Sequence, residues 1–118
     1  MGNEEKIKIV IVDDNVKIRL LLREILNMED DIVIVGEASN IQDGKEQIAM
    51  GQPDVALIDL SLDESRGGLK ILEAVKSAGL PTKIIIVSAH DESFALPWYA
   101  QGAKGYLSKD KAVGELAV

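Results

Sequence analysis

The fold is decided near the beginning of the chain by the stretch Ile7-Lys8-Ile9-Val10-Ile11-Val12-Asp13-Asp14. Its Val and Ile residues favour a strand, because branched side chains pack well on a pleated surface. Consecutive apolar positions indicate a strand covered on both faces, as in a parallel sheet flanked by helices. Two carboxylates follow the strand at once. Open sheets of this type bind ligands beyond the carboxyl ends of their strands, so Asp13 and Asp14 are the first candidates for a functional site.

The same unit, a short β-branched run followed by a helix-like stretch, occurs five times along the chain. Strands are predicted at Ile7–Val12, Ile32–Val35, Val55–Ile58, Lys83–Val87 and Tyr106–Ser108. Helices are predicted at Val16–Leu26, Leu69–Ala78 and Glu92–Gln101, and Gly79 is expected to end the second of these. Another helix is predicted to begin at a capping box of Ser39 and Gln42 and to end near Gly51. Lys111–Val118 is predicted to be the beginning of a fifth helix. This alternation predicts an α/β fold with a doubly wound, parallel five-stranded sheet and right-handed crossovers.

The predicted fourth helix contains Pro97. Proline removes a hydrogen bond inside a helix but is tolerated in the first turn, so we expect this helix to begin late. Trp98 and Tyr99 follow directly. Trp98 is then either a core residue or, with Tyr99, part of a surface for a partner protein, since aromatic residues are enriched in such interfaces.

The composition is that of one globular domain. The chain has 118 residues, of which 47% are hydrophobic and 28% are charged, and its net charge is −7. The acidic surface makes the domain itself a poor ligand for nucleic acid or an anionic membrane. The absence of cysteine excludes a disulfide scaffold and a thiol enzyme. No apolar run exceeds four residues, far too few for a membrane span, and we expect a cytoplasmic protein.

Polar residues stand at four of the predicted strand ends. Asp13 and Asp14 close the first strand, Asp59 the third, Ser88 the fourth and Lys109 the fifth. Any one of them is explained as a helix cap or a solvated loop charge, but the whole set at one edge indicates a functional site.

Two carboxylates about 4 Å apart repel by roughly 4 kcal/mol at an effective dielectric near 20. A Mg²⁺ ion with oxygen ligands relieves this repulsion, and one Asp can then attack phosphorus as a nucleophile.

Four motifs in order along the chain resemble the receiver domain of bacterial two-component response regulators. They are Val10-Ile11-Val12-Asp13-Asp14, the Asp59 that ends Val55-Ala56-Leu57-Ile58, Ser88-Ala89, and Gly105-Tyr106-Leu107-Ser108-Lys109. The resemblance covers nearly the whole chain. It implies a flavodoxin-like (βα)5 fold with strand order 2-1-3-4-5, and it implies a phosphorylation-controlled signalling switch that catalyses only its own phosphorylation and dephosphorylation.

The resemblance also implies a role for each residue of the site. Asp59 is the expected phosphoacceptor, and Mg²⁺ is expected to bind Asp14, Asp59 and the backbone carbonyl of Ser61, with Asp13 acting through water. Lys109 is expected to hold the phosphoryl group. Ser88 and Tyr106 are the expected switch residues, and Ser61 and His90 are expected to tune the rate of dephosphorylation.

Partners follow from the same resemblance. The expected phosphodonor is a sensor histidine kinase. The face formed by the fourth helix, fifth strand and fifth helix should change on phosphorylation, and it offers a surface for a homodimer. The motif style is closest to receivers of helix-turn-helix regulators. We therefore expect residues 1–118 to be a single receiver domain with a truncated fifth helix, and any output domain that contacts DNA to lie beyond the C-terminus. The alternative is a stand-alone receiver that acts by protein–protein contact.

Two segments depart from the family pattern. The segment Leu60–Gly68 lacks the usual Pro, and Gly68 comes one residue late unless Gly67 takes its role. Lys109 is followed by Asp110 in place of Pro, and we expect a trans bond there because a non-proline cis bond costs about 2.5–4 kcal/mol.

Two other functions compete with the receiver. A haloacid-dehalogenase-type phosphatase also uses an Asp nucleophile and Mg²⁺, but it requires a second Asp where this chain has Ser61. A degenerate receiver would bind a partner without phosphorylation. The altered loop after Asp59 favours that alternative, and the complete acidic set with Lys109 opposes it.

Overall fold

The computed structural model describes residues 6–62, 67–89 and 96–109, and these contain one parallel sheet with helices on both faces. The strand order is β2-β1-β3-β4-β5, which confirms the flavodoxin-like order. The strands are β1 (Ile7–Val12), β2 (Ile32–Ala38), β3 (Val55–Asp59), β4 (Lys83–Ser88) and β5 (Gly105–Ser108). The helices are α1 (Val16–Asn27), α2 (Ile41–Gly51), α3 (Gly68–Ser77) and α4 (Leu96–Ala100).

The strand register brings the predicted polar residues to one edge of the sheet. Val12 lies opposite Ile58, the residue before Asp59. Asp59 in turn lies opposite Val87, the residue before Ser88. Ser88 lies opposite Ser108, the residue before Lys109. The carboxyl ends of β1, β3, β4 and β5 are therefore level, as the sequence predicted.

Each face of the sheet has its own hydrophobic core. Alternate strand residues point to opposite faces, so Val10 and Val12 contribute to a larger cluster with residues of α2, α3 and α4, among them Ile48, Leu72 and Trp98. Ile9 and Ile11 contribute to a smaller cluster with Leu22 of α1. Ile11 is fully buried, and burial of one such side chain is worth about 1.5–3 kcal/mol. These two cores fix the strand ends that carry the polar residues.

The caps of the helices follow local side-chain chemistry. Asn15 begins α1, and its side chain accepts hydrogen bonds from the backbone N–H groups of Lys17 and Ile18. Asn40 begins α2 in an extended conformation and accepts a hydrogen bond from the N–H of Asp43. The predicted capping box of Ser39 and Gln42 was therefore wrong, because Asn40 already supplies the side-chain acceptor.

The end of α3 was predicted correctly to within one residue. Gly79 has a φ of +67°, a conformation that glycine adopts without steric cost. The N–H of Leu80 then donates to the carbonyl of Val75, and the N–H of Gly79 donates to the carbonyl of Lys76. These bonds satisfy carbonyl groups that the helix end would leave without a partner.

The described part of α4 has Pro97 in its first turn, where proline is tolerated. Trp98 is buried, with 7% of its surface exposed, whereas Tyr99 is 45% exposed. Trp98 is thus a core residue, and Tyr99 is the aromatic residue of this helix that a partner could contact. The predicted beginning of the helix at Glu92 and the predicted fifth helix, Lys111–Val118, lie outside the described residues.

Across the described parts of the chain, no helix combines the length and apolar character that a membrane crossing requires.

Candidate functional site

Two carboxylates follow β1, and their surroundings differ. Asp13 is 1% exposed. Its N–H donates to the carbonyl of Ala38 at 3.0 Å, and its Oδ1 accepts a hydrogen bond from the N–H of Asn15 at 2.8 Å. Asp14 is exposed. Asp13 is therefore fixed at the end of the β1–β2 ladder, while Asp14 can reach a ligand that arrives from solvent.

Asp59 ends β3 and is also buried, with 3% of its surface exposed. The N–H of Ser61, two residues on, donates to its Oδ1 at 3.3 Å. The chain stays against β4 after the strand ends, because the N–H of Leu60 donates to the carbonyl of Val87 at 3.0 Å. The Asp59 carboxylate is therefore held on a rigid part of the sheet.

Two glycines bring the chain back to Asp59 after the altered loop. The N–H of Gly68 donates to the carbonyl of Leu60 at 2.9 Å. A Cβ atom at Gly68 would lie 2.7 Å from the carbonyl oxygen of Asp59, and one at Gly67 would overlap the carbonyl oxygen of Leu62. Both positions therefore require glycine for close backbone approach. Residues 63–66, including Arg66, lie outside the described residues.

Lys109 reaches across β4 and lies between the two buried carboxylates. Its Nζ is 3.2 Å from Oδ2 of Asp13 and 3.3 Å from Oδ1 of Asp59. Burial on its own lowers the pKa of Lys109, but the charges of Asp13 and Asp59 outweigh that effect and raise the pKa above its usual value. Lys109 therefore remains an ammonium group in the site.

The ionised form of the Asp59 carboxyl group is destabilised in this site. Burial raises its pKa, and the nearby negative charge of Asp13 raises it further. The attraction and hydrogen bond of Lys109, together with the N–H of Ser61, offset these effects only in part, so the pKa stays above its usual value. A further positive charge at this place would stabilise the ionised form.

The geometry fits a divalent cation. One carboxylate oxygen from each of Asp13, Asp14 and Asp59 lies within 4.8 Å of the others. Oδ2 of Asp13 is buried, and among the described residues its recorded close polar neighbour is the Lys109 ammonium at 3.2 Å, with no hydrogen bond from a backbone N–H. Buried polar atoms normally have a hydrogen-bond partner. Carboxylate oxygens are the ligands that Mg²⁺ prefers, so the donor set suits this ion.

The predicted switch residues lie on one face of the sheet. Ser88 ends β4 and is 3% exposed. It shares a face with Ile84 and Ile86, which belong to the larger core cluster. Tyr106 lies on β5 opposite Ile86 and packs, half-buried, against the same cluster. Tyr106 therefore contacts the larger core cluster, and Ser88 lies on the same face of the sheet. His90, the predicted rate-tuning residue, and Asp110 lie outside the described residues.

One group near the site was not predicted from the sequence. Arg19 of α1 donates from its Nη1 to the carbonyl of Asp13 at 2.6 Å, and its Nε lies 3.7 Å from Glu37 of β2. Glu37 also accepts from Arg23 at 2.7 Å. The position of Arg19 inside the predicted first helix was the available signal, but its partner on β2 is distant in sequence.

The sequence matches the family model of the response regulator receiver domain over residues 9–118. It is 35% identical over 112 residues to the nitrate/nitrite response regulator protein NarL of Escherichia coli (strain K12), with 93% of this chain and 51% of NarL covered. It is 37% identical over 116 residues to the transcriptional regulatory protein DesR of Bacillus subtilis (strain 168), with 94% of this chain and 55% of DesR covered.

A solved structure agrees with this relationship. The signal receiver domain of the response regulator NarL from Mycobacterium tuberculosis superimposes with a TM-score of 0.82 at 35% identity, and the match covers 96% of this chain and 97% of that domain. The present chain spans about half the length of the two curated relatives, NarL and DesR. From its fold, its acidic edge and these matches, the chain belongs to the response regulator receiver domain family.

Proposed function

We propose that this domain is the phosphoacceptor switch of a two-component system and that Asp59 receives the phosphoryl group. The observation that carries the proposal is the position of Asp59, buried beside Asp13 and with Lys109 Nζ 3.3 Å from its Oδ1. A buried carboxylate is costly unless positive charge compensates it. A site that needs further positive charge is suited to bind a cation and then a phosphoryl group.

We assign the metal ligands from the carboxylate cluster and from the roles that the resemblance to receivers implies. Asp14, Asp59 and the backbone carbonyl of Ser61 would bind Mg²⁺ directly, and Asp13 would act through water. The exposure of Asp14 supports its place beside an ion that keeps several waters. When bound, Mg²⁺ supplies positive charge that offsets the charge of the carboxylates and of the phosphoryl oxygens.

The transfer is a displacement at phosphorus. A carboxylate oxygen of Asp59 forms the new bond to phosphorus, and the bond between phosphorus and the donor breaks. The leaving group, the imidazole of a kinase histidine or the carboxylate of an acyl phosphate, takes the bonding electron pair. Lys109 would hold a phosphoryl oxygen by a charge-assisted hydrogen bond, and the 3.3 Å distance of its ammonium from Oδ1 of Asp59 supports this role.

We place the output of the switch on the side of β4, β5 and α4. Ser88 moves towards the phosphoryl group, and Tyr106 fills the space that this movement leaves. Tyr106 packs against the larger core cluster and Ser88 lies on the same face of the sheet. This supports the assignment, because closely packed side chains transmit small displacements to their neighbours. We expect Ser61 and His90 to tune the rate at which water removes the phosphoryl group.

The partners that we propose are a sensor histidine kinase, as phosphodonor, and a transcription-regulatory output domain. The chain covers 51% of NarL and 55% of DesR, both named as regulators. A receiver with an attached output domain would contact DNA through that domain and could dimerise through its α4–β5 side. The close approach of Lys109 to Asp59 disfavours a degenerate receiver. A dehalogenase-type phosphatase is disfavoured because this chain has Ser61 where that class requires a second Asp.

The test is phosphorylation by acetyl phosphate with and without Mg²⁺, followed by intact-mass spectrometry. We expect one added phosphoryl group on the wild type with Mg²⁺, very little after chelation, and none on Asp59→Asn. Equal labelling of the wild type and Asp59→Asn would contradict the assignment of Asp59. An absence of labelling in both, together with an absence of binding by the phosphate mimic beryllofluoride, would favour the degenerate receiver.

A further inference from the structure

Arg19 connects the acidic site to the edge strand of the sheet. Its side chain is 20% exposed, and its Nη1 donates to the carbonyl oxygen of Asp13 at 2.6 Å. Its Nε lies 3.7 Å from Oε1 of Glu37 on β2. A planar guanidinium can donate hydrogen bonds to two acceptors in fixed directions. A lysine ammonium on its flexible stem does not fix these directions. Arg19 therefore links the end of β1 to β2 through one rigid group.

The carbonyl that Arg19 contacts belongs to the peptide bond between Asp13 and Asp14. Because a peptide unit is planar, its orientation sets the directions in which both residues leave it. The N–H of Asp13 is already held by Ala38, and its Oδ1 by the N–H of Asn15. Among the described residues, the hydrogen bond recorded to the carbonyl of Asp13 comes from Arg19, so it holds the peptide that joins the buried carboxylate of Asp13 to the exposed one of Asp14.

We propose that Arg19 is a positioning residue for the metal site: held by Glu37, it fixes the Asp13–Asp14 peptide so that both carboxylates face the ion. The inference rests on the proposed function, since it concerns the Mg²⁺ site assigned there. Groups that hydrogen-bond to metal ligands commonly set metal affinity without touching the ion, and their loss costs about 10- to 100-fold. Arg19 would act one step further away, through the peptide that joins Asp13 to the ligand Asp14.

The charge of Arg19 makes the proposal easy to distinguish from a general electrostatic effect. A positive side chain beside a cation site repels the cation. If Arg19 acted only through its charge, its removal would strengthen Mg²⁺ binding. If it acts by positioning, its removal weakens Mg²⁺ binding. The two mechanisms therefore predict changes of opposite sign.

Arg23 provides a matched control on the same helix. Its Nη2 and Nε lie 2.6 and 2.7 Å from Oε2 of Glu37, and its side chain is 45% exposed. Arg23→Gln therefore removes the same charge and a partner of the same glutamate as Arg19→Gln does. Arg19 differs from Arg23 in that it donates a hydrogen bond to the backbone carbonyl of Asp13.

The experiment is calorimetric titration of the wild type, Arg19→Gln, Arg19→Lys and Arg23→Gln with Mg²⁺, with thermal unfolding in chelator as a check on the fold. We expect Arg19→Gln to bind Mg²⁺ about 10-fold more weakly and Arg23→Gln to stay within about twofold of the wild type. Arg19→Lys keeps the charge and the aliphatic stem, and we expect it to lose several-fold in affinity. If Arg19→Gln does not fold, the Mg²⁺ affinity of Arg19→Lys alone distinguishes positioning from a charge effect.

Three results would overturn the proposal: Mg²⁺ binding by Arg19→Gln that equals or exceeds that of the wild type, equal weakening in Arg19→Gln and Arg23→Gln, or wild-type binding by Arg19→Lys. Absence of Mg²⁺ binding by the wild type itself is a different failure, because it would remove the metal site of the proposed function.

Discussion

The ammonium of Lys109 lies 3.3 Å from Oδ1 of Asp59, although β4 separates the strands that carry the two residues. The contact exists because Lys109 follows β5 at the edge where β3 also ends. A cation thus stands beside the acidic group before any ligand arrives. It compensates that group only in part, since the pKa of Asp59 stays raised by burial and by the charge of Asp13.

The raised pKa of Asp59 predicts that Asp59→Asn stabilises the metal-free protein. An acid whose pKa is higher in the folded state weakens folding when it is ionised. This cost is present above the folded pKa and disappears as the pH falls through it towards the unfolded pKa. We expect Asp59→Asn to be more stable than the wild type at pH 7, with a difference that shrinks in acid.

Urea unfolding in chelator over a pH series measures this difference. Asp30→Asn is the control, because Asp30 is exposed and the change removes the same charge. Saturating Mg²⁺ should reverse the order, because the wild type gains more from the ion. A metal-free Asp59→Asn protein less stable than the wild type at pH 7 would show that the Asp59 charge is fully compensated.

Lys109 and a metal ion compete for the same oxygens. Removal of the ammonium in Lys109→Gln leaves Asp13 and Asp59 without their nearest cation. We therefore expect Mg²⁺ to bind at least about threefold more tightly, roughly 0.7 kcal/mol, while phosphorylation by acetyl phosphate becomes slower because the phosphoryl oxygens lose a donor.

Calorimetry and the rate of labelling measure the two effects separately. Lys104→Gln is the control, since Lys104 is exposed at the opposite end of β5 and carries the same charge. Weaker Mg²⁺ binding by Lys109→Gln than by Lys104→Gln would contradict the competition between the ammonium and the ion.

Substitution of Asp14 and of Asp13 should affect the melting temperature and the Mg²⁺ affinity differently. Asp14 is exposed, so Asp14→Ala should leave the metal-free melting temperature nearly unchanged but remove most of the Mg²⁺ binding. Asp13 is buried and accepts a hydrogen bond from Asn15, so Asp13→Ala should alter stability and weaken Mg²⁺ binding less. A greater loss of affinity in Asp13→Ala, measured by calorimetry, would reverse the two roles.

Ser88→Ala should separate phosphorylation from its structural consequence. A ligand shifts a conformational equilibrium only by its different contacts with the two states, and the Ser88 hydroxyl is the group we expect to gain a bond to the phosphoryl oxygens. The variant should still be phosphorylated at Asp59, but the surface change near Tyr106 should be lost.

Amide hydrogen exchange over residues 92–118, with and without beryllofluoride, measures that change. Ser77→Ala is the control, because Ser77 is exposed at the end of α3. An identical response in the wild type and Ser88→Ala would remove Ser88 from the switch.

The sequence predicted the sheet, and with it the strand ends that bring Asp13, Asp59 and Lys109 together, because both depend on local patterns. The bounds of β1, Ile7–Val12, are those predicted, since an unbroken β-branched run leaves few alternatives. β2 extends to Ala38 instead of Val35, because pairing with β1 carries Gly36 and Glu37 into the ladder regardless of their own preferences. The contact of Arg19 with Asp13 and Glu37 was missed, since it joins three elements and no periodicity specifies it.

The most direct measurement is the location of the phosphoryl group along the chain. After reaction with acetyl phosphate and Mg²⁺, borohydride reduces an aspartyl phosphate to homoserine and releases phosphate, so peptide mass spectrometry marks the modified residue. We expect homoserine at position 59, dependent on Mg²⁺. Homoserine at position 13 or 14, or equal labelling at all three positions, would contradict Asp59 as the phosphoacceptor.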